Sequence, residues 1–176
     1  PATPPPDGPQ RARPLPPPLP NPAGWGVPVL AIEQGPDRSL WLGTNGQGIK
    51  VLRDGEREWQ RIEADTGVAA LRSGRVNALR HAGTALWYGT PGQGFGVTLD
   101  GGATWRTWTA AELGPRWQHV ALGGIRTRGD TVYIATSAGI RIAWDGGASW
   151  RCVTGRAAPP AEQREACRER IAALPS

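Results

Sequence analysis

One segment occurs three times along this chain, at spacings of 45 or 46 residues. Each copy contains an aspartate followed by glycine, and a tryptophan five residues after it: Asp54 and Trp59, Asp100 and Trp105, Asp145 and Trp150. Upstream of each pair lies a short apolar stretch that ends in threonine, at 40–44, 86–90 and 132–136. Repeats of this length form arrays in which each unit buries its apolar face against its neighbours. The sequence therefore predicts a tandem repeat protein.

The middle copy reads as a β-hairpin with a Gly-Gly turn. A strand is expected to end at Asp100, and a new one to begin at Thr104, after a reversal through Gly101 and Gly102. The glycines tolerate a positive φ, and the carboxylate of Asp100 can accept hydrogen bonds from the N–H groups of its own turn. Trp105 supplies a large apolar body that holds the turn against its neighbours. The same device is expected at Asp145 and, in a more divergent form, at Asp54.

Each repeat is expected to contain four strands. The repeats are predicted to span 29–62, 76–108 and 122–153. Their strands are predicted at 29–32, 39–43, 49–52 and 59–62; at 76–79, 85–89, 95–99 and 104–108; and at 122–125, 131–135, 140–144 and 149–153.

These motifs resemble two families of known repeats. Residues 98–105, Thr-Leu-Asp-Gly-Gly-Ala-Thr-Trp, resemble the Asp-box of sialidase-type and BNR-repeat β-propellers. Residues 39–49 are similar to the propeller repeat of two-component regulators. The resemblance covers residues 27–153 and implies an all-β fold, a propeller-like array of about three four-stranded blades forming an incomplete propeller. In those families the box is structural, which implies that role for Asp54, Trp59, Asp100, Trp105, Asp145 and Trp150.

The first 28 residues contain 12 of the 18 prolines. Such a segment cannot donate enough backbone hydrogen bonds for a helix or sheet, so an extended polyproline II arm is expected. Two interpretations stay open, a spacer from a membrane anchor and an arm that lies along a partner. In the second, Arg11 and Arg13 would contact acidic groups of the partner.

Residues 154–176 are predicted to form a linker and a short helix, over 161–174. Cys167, Ile171 and Leu174 would share one face of that helix. The other cysteine, Cys152, lies in the last predicted strand. A disulfide between Cys152 and Cys167 would fold the helix back onto the sheet and would favour an oxidising compartment. Two buried free thiols are the alternative.

Two connectors join the repeats, at 63–75 and 109–119. The resemblance implies that such connectors form the face of the propeller where ligands or partners bind. The candidate partner-binding residues are those on the connectors and just ahead of the first repeat: Arg72, Arg75, Arg116, Trp117, His119 and Trp25. Trp25 and Trp117 have an alternative role in packing between blades. His119 has no further ligands at metal-binding spacing, and no metal or cofactor is expected.

The charge of the chain and its first residue limit the partner classes and the location that are expected. The net charge of +5 comes from scattered arginines, which leaves an acidic protein or an anionic membrane surface possible and does not favour nucleic acid. No apolar run approaches the ~20 residues that span a bilayer. The chain starts at Pro1, as the mature part of an exported protein would. An extracytoplasmic, periplasmic location is therefore expected, with membrane association only through partners or a removed N-terminal anchor.

Three blades cannot close around an axis, because closed propellers have about 4–8. The chain is then a fragment, or half of a six-bladed pair, or a body whose flanks are covered by its arm, its helix and a partner; the last is favoured.

The tyrosines, Tyr88 and Tyr133, occupy repeat strand positions, and no paired carboxylates are evident, so no catalytic residues are expected. The resemblance to photosystem assembly factors favours an accessory or assembly subunit of a larger membrane-associated complex, with photosynthetic complexes among the candidates. The alternatives are a sensory propeller of a two-component regulator and a glycan-binding or sialidase-like protein.

Overall fold

The computed structural model describes residues 27–67 and 69–154. Within them the chain forms three four-stranded antiparallel sheets, in each of which the strands follow one another in sequence order. The first sheet, blade 1, contains β1 (Val29–Gln34), β2 (Leu40–Thr44), β3 (Ile49–Leu52) and β4 (Gln60–Ile62).

The other two sheets repeat this arrangement. Blade 2 contains β5 (Ala78–Ala82), β6 (Ala85–Gly89), β7 (Phe95–Thr98) and β8 (Arg106–Trp108). Blade 3 contains β9 (Val120–Arg128), β10 (Thr131–Thr136), β11 (Gly139–Trp144) and β12 (Ser149–Val153). The predicted all-β array of propeller-type blades is confirmed. The expected proline-rich arm and C-terminal helix lie outside the described residues, which include only 27–28 of the arm and 154 of the C-terminal linker.

Blades pack face to face through alternate side chains of their strands, because successive side chains of a strand point to opposite faces. The junction of blades 1 and 2 buries Trp41, Ile49 and Val51 against a second set of side chains, Leu79, Leu86, Tyr88 and Trp105. The junction of blades 2 and 3 buries Trp87 and Phe95 against Ile125, Val132 and Ile134. Burial of side chains of this size contributes roughly 1.5–3 kcal/mol each, which makes the junctions the main source of stability.

A threonine organises the turn after the second strand of each blade. Its hydroxyl donates to a glycine carbonyl and accepts a backbone N–H from the same turn. The donor distances are 2.8 Å from Thr44 to the carbonyl of Gly48 and 2.7 Å from Thr90 to that of Gly94. Thr136 repeats the arrangement with Gly139 at 2.9 Å. The glycine-rich segments are therefore strand-connecting turns.

The three inner strands differ in their bounds from those expected, and β1 ends at Gln34, two residues later than predicted. β5 starts two residues later than predicted, at Ala78, and the N–H of Val76 ahead of it donates to the carbonyl of Thr44 in blade 1, at 2.9 Å. β9 starts two residues earlier than predicted, at Val120, whose N–H makes the equivalent bond to Thr90 at 2.9 Å. Both valines therefore connect neighbouring blades.

The second connector contains a short helix, α1 (Ala110–Leu113), that was not predicted. The carboxylate of Glu112 accepts the backbone N–H of Thr109 at 2.8 Å, so the two residues form the pair of a capping box. Leu113 is buried in the junction of blades 2 and 3. The helix thus fixes the connector onto the core.

Candidate interaction surfaces

The turn of blade 2 is built around the carboxylate of Asp100. Its Oδ1 accepts the backbone N–H of Thr104 and the hydroxyl of Thr98, both at 2.8 Å, and its Oδ2 accepts the hydroxyl of Thr104 at 2.5 Å. These bonds, above all the one from the Thr104 hydroxyl, lower the pKa of Asp100 to about 2. The turn is longer than the two-residue reversal predicted, since β7 ends at Thr98 and β8 begins at Arg106.

The turns of the other blades do not repeat these side-chain bonds. Asp145 lies in a single 3₁₀ turn with φ 55°, and its carbonyl accepts the N–H of Ala148 at 3.1 Å. Asp54 forms an exposed ion pair with Arg38. Asp100 thus accepts hydrogen bonds within its own turn, whereas Asp145 and Asp54 make other contacts, and the structural role of the three aspartates stays a prediction.

Each Gly-Gly turn packs onto an aromatic ring of the blade before it. A Cβ on Gly102 would lie 2.7 Å from Cδ1 of Ile62 and 3.3 Å from Cη2 of Trp41. A Cβ on Gly147 would lie 2.5 Å from Cη2 of Trp108. The second glycine of each turn is thus required by a close approach, in addition to its positive φ.

The first glycine of each turn meets a second residue of the preceding blade. The guanidinium of Arg53 donates to the carbonyl of Gly101 at 2.8 Å. At the next junction, Leu99 lies 3.8 Å from the Cβ position of Gly146. Arg53 and Leu99 are equivalent positions, each directly before the aspartate of its own turn. The two junctions therefore share one geometry and differ in the chemistry of this contact.

The connectors place most of the predicted partner-binding residues at the surface. Arg72, Arg75, Arg116 and His119 are exposed. Arg75 pairs with Asn45 and His119 with Pro91 through isolated β-bridges, so each connector is fixed to a turn of the preceding blade. The four residues are spread over two connectors, and only one of them, Arg72, lines the pocket described next.

A polar pocket of about 370 Å³ lies between the two connectors. Its lining comprises Asp65, Thr66, Arg72, Gly92, Gln93, Thr109, Ala110 and Gln118. The guanidinium of Arg72 donates to the carbonyls of Thr66 and Gly67, the latter at 3.0 Å. The site offers one cation, one carboxylate and two amides, which suits a small polar ligand or a polar side chain of a partner.

Trp117 is buried, with 4% of its surface exposed. The guanidinium of Arg141 lies 4.9 Å from its ring centroid and 5.9 Å from that of Trp150. A buried cation between two indole rings is a favourable arrangement. This position supports the packing alternative for Trp117. Arg141 was missed from the sequence, although it occupies an inward position of an otherwise apolar strand, which is a signal for a buried charge.

A polar cluster that was not predicted joins the inner strands of blades 1 and 2. The carboxylate of Glu33 accepts the backbone N–H of His81 at 3.0 Å and Nη1 of Arg80 at 3.3 Å. Burial lowers the pKa of His81, and the carboxylates of Glu33 and Asp37 oppose that shift. The cluster fixes the relative position of the two blades.

Ser39, Asp37 and His81 are residue types that serve in nucleophilic catalysis. The Ser39 hydroxyl, however, donates to Oδ1 of Asp37 at 2.5 Å and accepts Nε1 of Trp41 at 2.7 Å. This bond from Ser39 holds the pKa of Asp37 below its usual value. Because Ser39 is fully buried, the arrangement stabilises the β1–β2 turn rather than presenting a nucleophile.

The outward face of blade 3, which points away from blade 2, is an apolar surface between arginines. Pairing places Arg126, Tyr133, Ile142 and Arg151 in one row across the four strands. Beside this row, Ile140, Trp144 and Val153 are 42%, 36% and 44% exposed. The residues equivalent to Ile140 in blades 1 and 2, Ile49 and Phe95, are fully buried. We call this surface, Arg126, Tyr133, Ile140, Ile142, Trp144, Arg151 and Val153, the open face.

Several predicted residues fall outside the described part of the chain. These are Arg11, Arg13, Trp25 and Cys167. Cys152 lies on β12, half-buried, and packs against the junction of blades 2 and 3. Its disulfide with Cys167 stays a prediction.

Within residues 27–67 and 69–154, no group of three His, Cys, Asp or Glu side chains is placed to hold a metal ion. The same residues contain no helix with the length and apolar character that a membrane span requires.

No family model matches the sequence, and no match is found among the curated proteins. Among solved structures, this chain is similar to the extracellular domain of a protein described as the hybrid two-component system BT3049 from B. thetaiotaomicron. That comparison has a TM-score of 0.59 at 12% identity, over 72% of this chain and 18% of the other. It is also similar to YCF48 from Cyanidioschyzon merolae, with a TM-score of 0.50 at 17% identity, over 71% of this chain and 40% of the other. The chain spans less than half the length of both, and the likeness is one of fold.

Proposed function

We propose that this protein is a non-catalytic interaction module that docks onto a larger assembly through the open face. The observation that carries this proposal is the exposure of Ile140 and Val153, whose equivalents in the other blades are packed in the junctions. Contiguous exposed apolar side chains rimmed by charges mark protein–protein contact sites. The open face therefore favours a partner protein over a small ligand as the main target.

The two internal junctions indicate what kind of surface fits the open face. Tyr133 and Trp144 hold the positions that Trp41 and Arg53 hold in blade 1, where a glycine turn packs onto them. A matching partner presents a tight turn with a small residue at its tip, as a propeller blade does.

The arginines of the open face add a charge requirement. In blade 1 the position of Arg126 is held by Glu33, which receives Arg80 and the N–H of His81 from the next blade. In blade 3 this position has a positive charge instead of a carboxylate, so Arg126 and Arg151 would bind acidic groups of the partner. The partner surface that we propose is therefore a glycine turn flanked by carboxylates.

The location and the role are further parts of the proposal. An extracytoplasmic location is supported by the likeness in fold to an extracellular domain. The resemblance of the repeats to those of photosystem assembly factors, together with the likeness to YCF48, supports an accessory or assembly subunit. Membrane association would come through the partner.

The absence of catalysis is also proposed, and the environment of Tyr88 supports it. Its hydroxyl lies 2.6 Å from that of Thr107, and burial raises its pKa to about 12. A tyrosine held as a buried phenol is a poor nucleophile, and the glycosidases with a tyrosine nucleophile need a reactive one.

The test is quantitative co-purification of tagged full-length chains with a native assembly, at equal expression. Trp144→Ser should reduce recovery about tenfold or more, which corresponds to about 1.4 kcal/mol. Ile32→Ser is the matched control, because Ile32 is 65% exposed and lies on blade 1. Equal recovery of the two variants would exclude docking through the open face.

A sensory propeller of a two-component regulator is the second candidate. It is supported by the likeness to the extracellular domain of such a system and by the polar pocket between the connectors. Thermal-shift measurements with small carboxylates and sugars distinguish the candidates. A stabilising ligand whose effect is lost in Arg72→Ala would favour the sensor, and recovery of a protein complex that depends on Trp144 would favour the docking module.

A further inference from the structure

A second pocket, of about 400 Å³, lies between the turns of blades 2 and 3. The buried Trp87 lines it, together with Leu99 of blade 2 and Asp130, Asp145 and Gly146 of blade 3. We call it the turn pocket. Because the open face points away from blade 2, the turn pocket is a separate surface.

The corresponding place at the junction of blades 1 and 2 contains a guanidinium group of the chain itself. Arg53 donates to the carbonyl of Gly101 at 2.8 Å, and its Cζ lies 5.7 Å from the ring centroid of Trp41. At the junction of blades 2 and 3, Gly146 holds the position of Gly101, and Trp87 holds that of Trp41. Both of these residues line the turn pocket. The first junction therefore shows which chemical group fits between such turns.

The second junction lacks that cation. Leu99 holds the position of Arg53, and its side chain is 65% exposed. An isobutyl group cannot donate a hydrogen bond to the carbonyl of Gly146, and it is shorter than an arginine side chain. The turn pocket is the space that this exchange leaves.

The charge of the turn pocket also differs from that of the first junction. Among the described residues, neither the carboxylate of Asp130 nor that of Asp145 has an ion-pair partner. Asp130 is the second residue of the two-residue turn after the inner strand, a position that Thr84 holds in blade 2. The additional carboxylate thus occurs at the junction where the chain supplies no cation of its own.

We infer that the turn pocket binds a guanidinium group, supplied by an arginine side chain of a partner protein. Its N–H groups donate to the carboxylates of Asp130 and Asp145 and to the carbonyl of Gly146, as Arg53 donates to Gly101. A planar guanidinium is also a favourable neighbour for an indole ring such as that of Trp87. We assign the group to a protein because the example at the first junction is a side chain carried by a neighbouring segment of polypeptide. The open face then receives acidic groups, and the turn pocket receives a basic one.

The test is an NMR titration of the isotope-labelled full-length protein with N-acetyl-arginine methylamide. The backbone amides of Gly83 and Gly146 should shift and saturate at millimolar probe concentrations, whereas the isosteric, neutral citrulline derivative should leave them unchanged. Asp130→Asn should weaken binding about threefold, and the double variant with Asp145→Asn about tenfold. Asp65→Asn is the matched control, because Asp65 lines the other pocket. Equal shifts with the two probes, or none with the arginine derivative, would overturn the inference.

Substitutions at Leu99 give a second readout with opposite signs. Leu99→Arg supplies the guanidinium from the chain, as Arg53 does at the first junction, and should abolish binding of the arginine probe. Leu99→Glu adds a third carboxylate and should strengthen binding about threefold. Equal effects of the two variants would show that the charge of the turn pocket is irrelevant, which would also overturn the inference.

The source of the guanidinium is tested by two further probes. A capped Gly-Arg-Gly peptide represents an arginine side chain of a partner protein, and agmatine represents a small free ligand. The peptide should bind at least as tightly as agmatine. Binding of agmatine without binding of the peptide would overturn the assignment to a protein.

Discussion

Gly147 of blade 3 lies directly against the indole ring of Trp108 of blade 2, so closely that a Cβ would come within 2.5 Å of Cη2. The contacted atom belongs to a rigid ring that is itself packed between Trp87 and Trp150, at centroid distances of 5.7 and 4.9 Å. This packing prevents the Trp108 ring from moving away from an added Cβ. The glycine is therefore a requirement of the junction as well as of the turn.

Gly147→Ala should lower the free energy of unfolding by about 2–4 kcal/mol, from the strain of a positive φ and from overpacking against Trp108. Gly55→Ala separates the two effects, because Gly55 has φ 80° and no atom within 4 Å of its Cβ position. It should cost only about 1–2 kcal/mol. Urea denaturation of both variants measures the difference, and equal losses would show that the ring contact contributes nothing.

Asp100→Ala should lower the free energy of unfolding by about 1 kcal/mol at pH 7, a modest loss because the carboxylate is exposed. The pKa of Asp100 is about 2 in the folded protein, below the value of about 3.9 for an unfolded chain. Its contribution is therefore present above pH 4 and is lost as the pH falls towards 2. Denaturation curves at several pH values should show the two proteins converging. A difference that persists at pH 2 would contradict this account of the turn.

His81 should make the protein less stable in mild acid. Burial puts its pKa below the unfolded value of about 6.5, so the unfolded chain takes up a proton first as the pH falls. The stability of the wild type should then decline from pH 7 to pH 5. His81→Phe, which preserves the ring contact with Trp41, should flatten that decline, and His119→Gln at an exposed position should not. Thermal melting across this range provides the measurement.

Cys152 and Cys167 should be joined by a disulfide. Trypsin would release the linked peptides 152–156 and 165–168, which mass spectrometry of the unreduced protein can identify. In the chain-entropy account, closing a loop of this length contributes roughly 3 kcal/mol, so reduction should lower the melting temperature. Two free thiols in the unreduced sample would rule out the bond.

The repeat spacing predicts the second and third strands of each blade well, because their signal is local. Trp41 and Trp87, for instance, each stand in a short apolar run that ends at a turn-forming threonine. The inner strands are predicted less well. Val76 and Val120 donate their N–H groups to the preceding blade, and those partners, Thr44 and Thr90, lie about 30 residues away in sequence.

The interaction surfaces are less accessible to sequence reasoning for a similar reason. The burial of Arg141 depends on Trp117 and Trp150, which come from a connector and another strand. The exposure of Ile140 depends on the absence of a covering blade, since its equivalents Ile49 and Phe95 are fully buried. The apolar neighbours of Arg141 in its strand signal its burial, but its two indole partners and the exposure of Ile140 could be read only after the blades were assembled.

The equivalence of the two junctions bears on how such arrays change length in evolution. Unequal crossing-over between the similar segments 40–44 and 86–90 would delete 46 residues and fuse β1 to the rest of blade 2. In the product, Gly147 would still meet the Trp108 ring, and Glu33 would face Arg126, which holds the position of its present partner Arg80. The bonds of Asn77 to Val120 and Gly123 would be lost, but the turn contact would persist and the new pair would be one of opposite charges. Recombination alone could therefore remove or add a whole blade while keeping much of each junction.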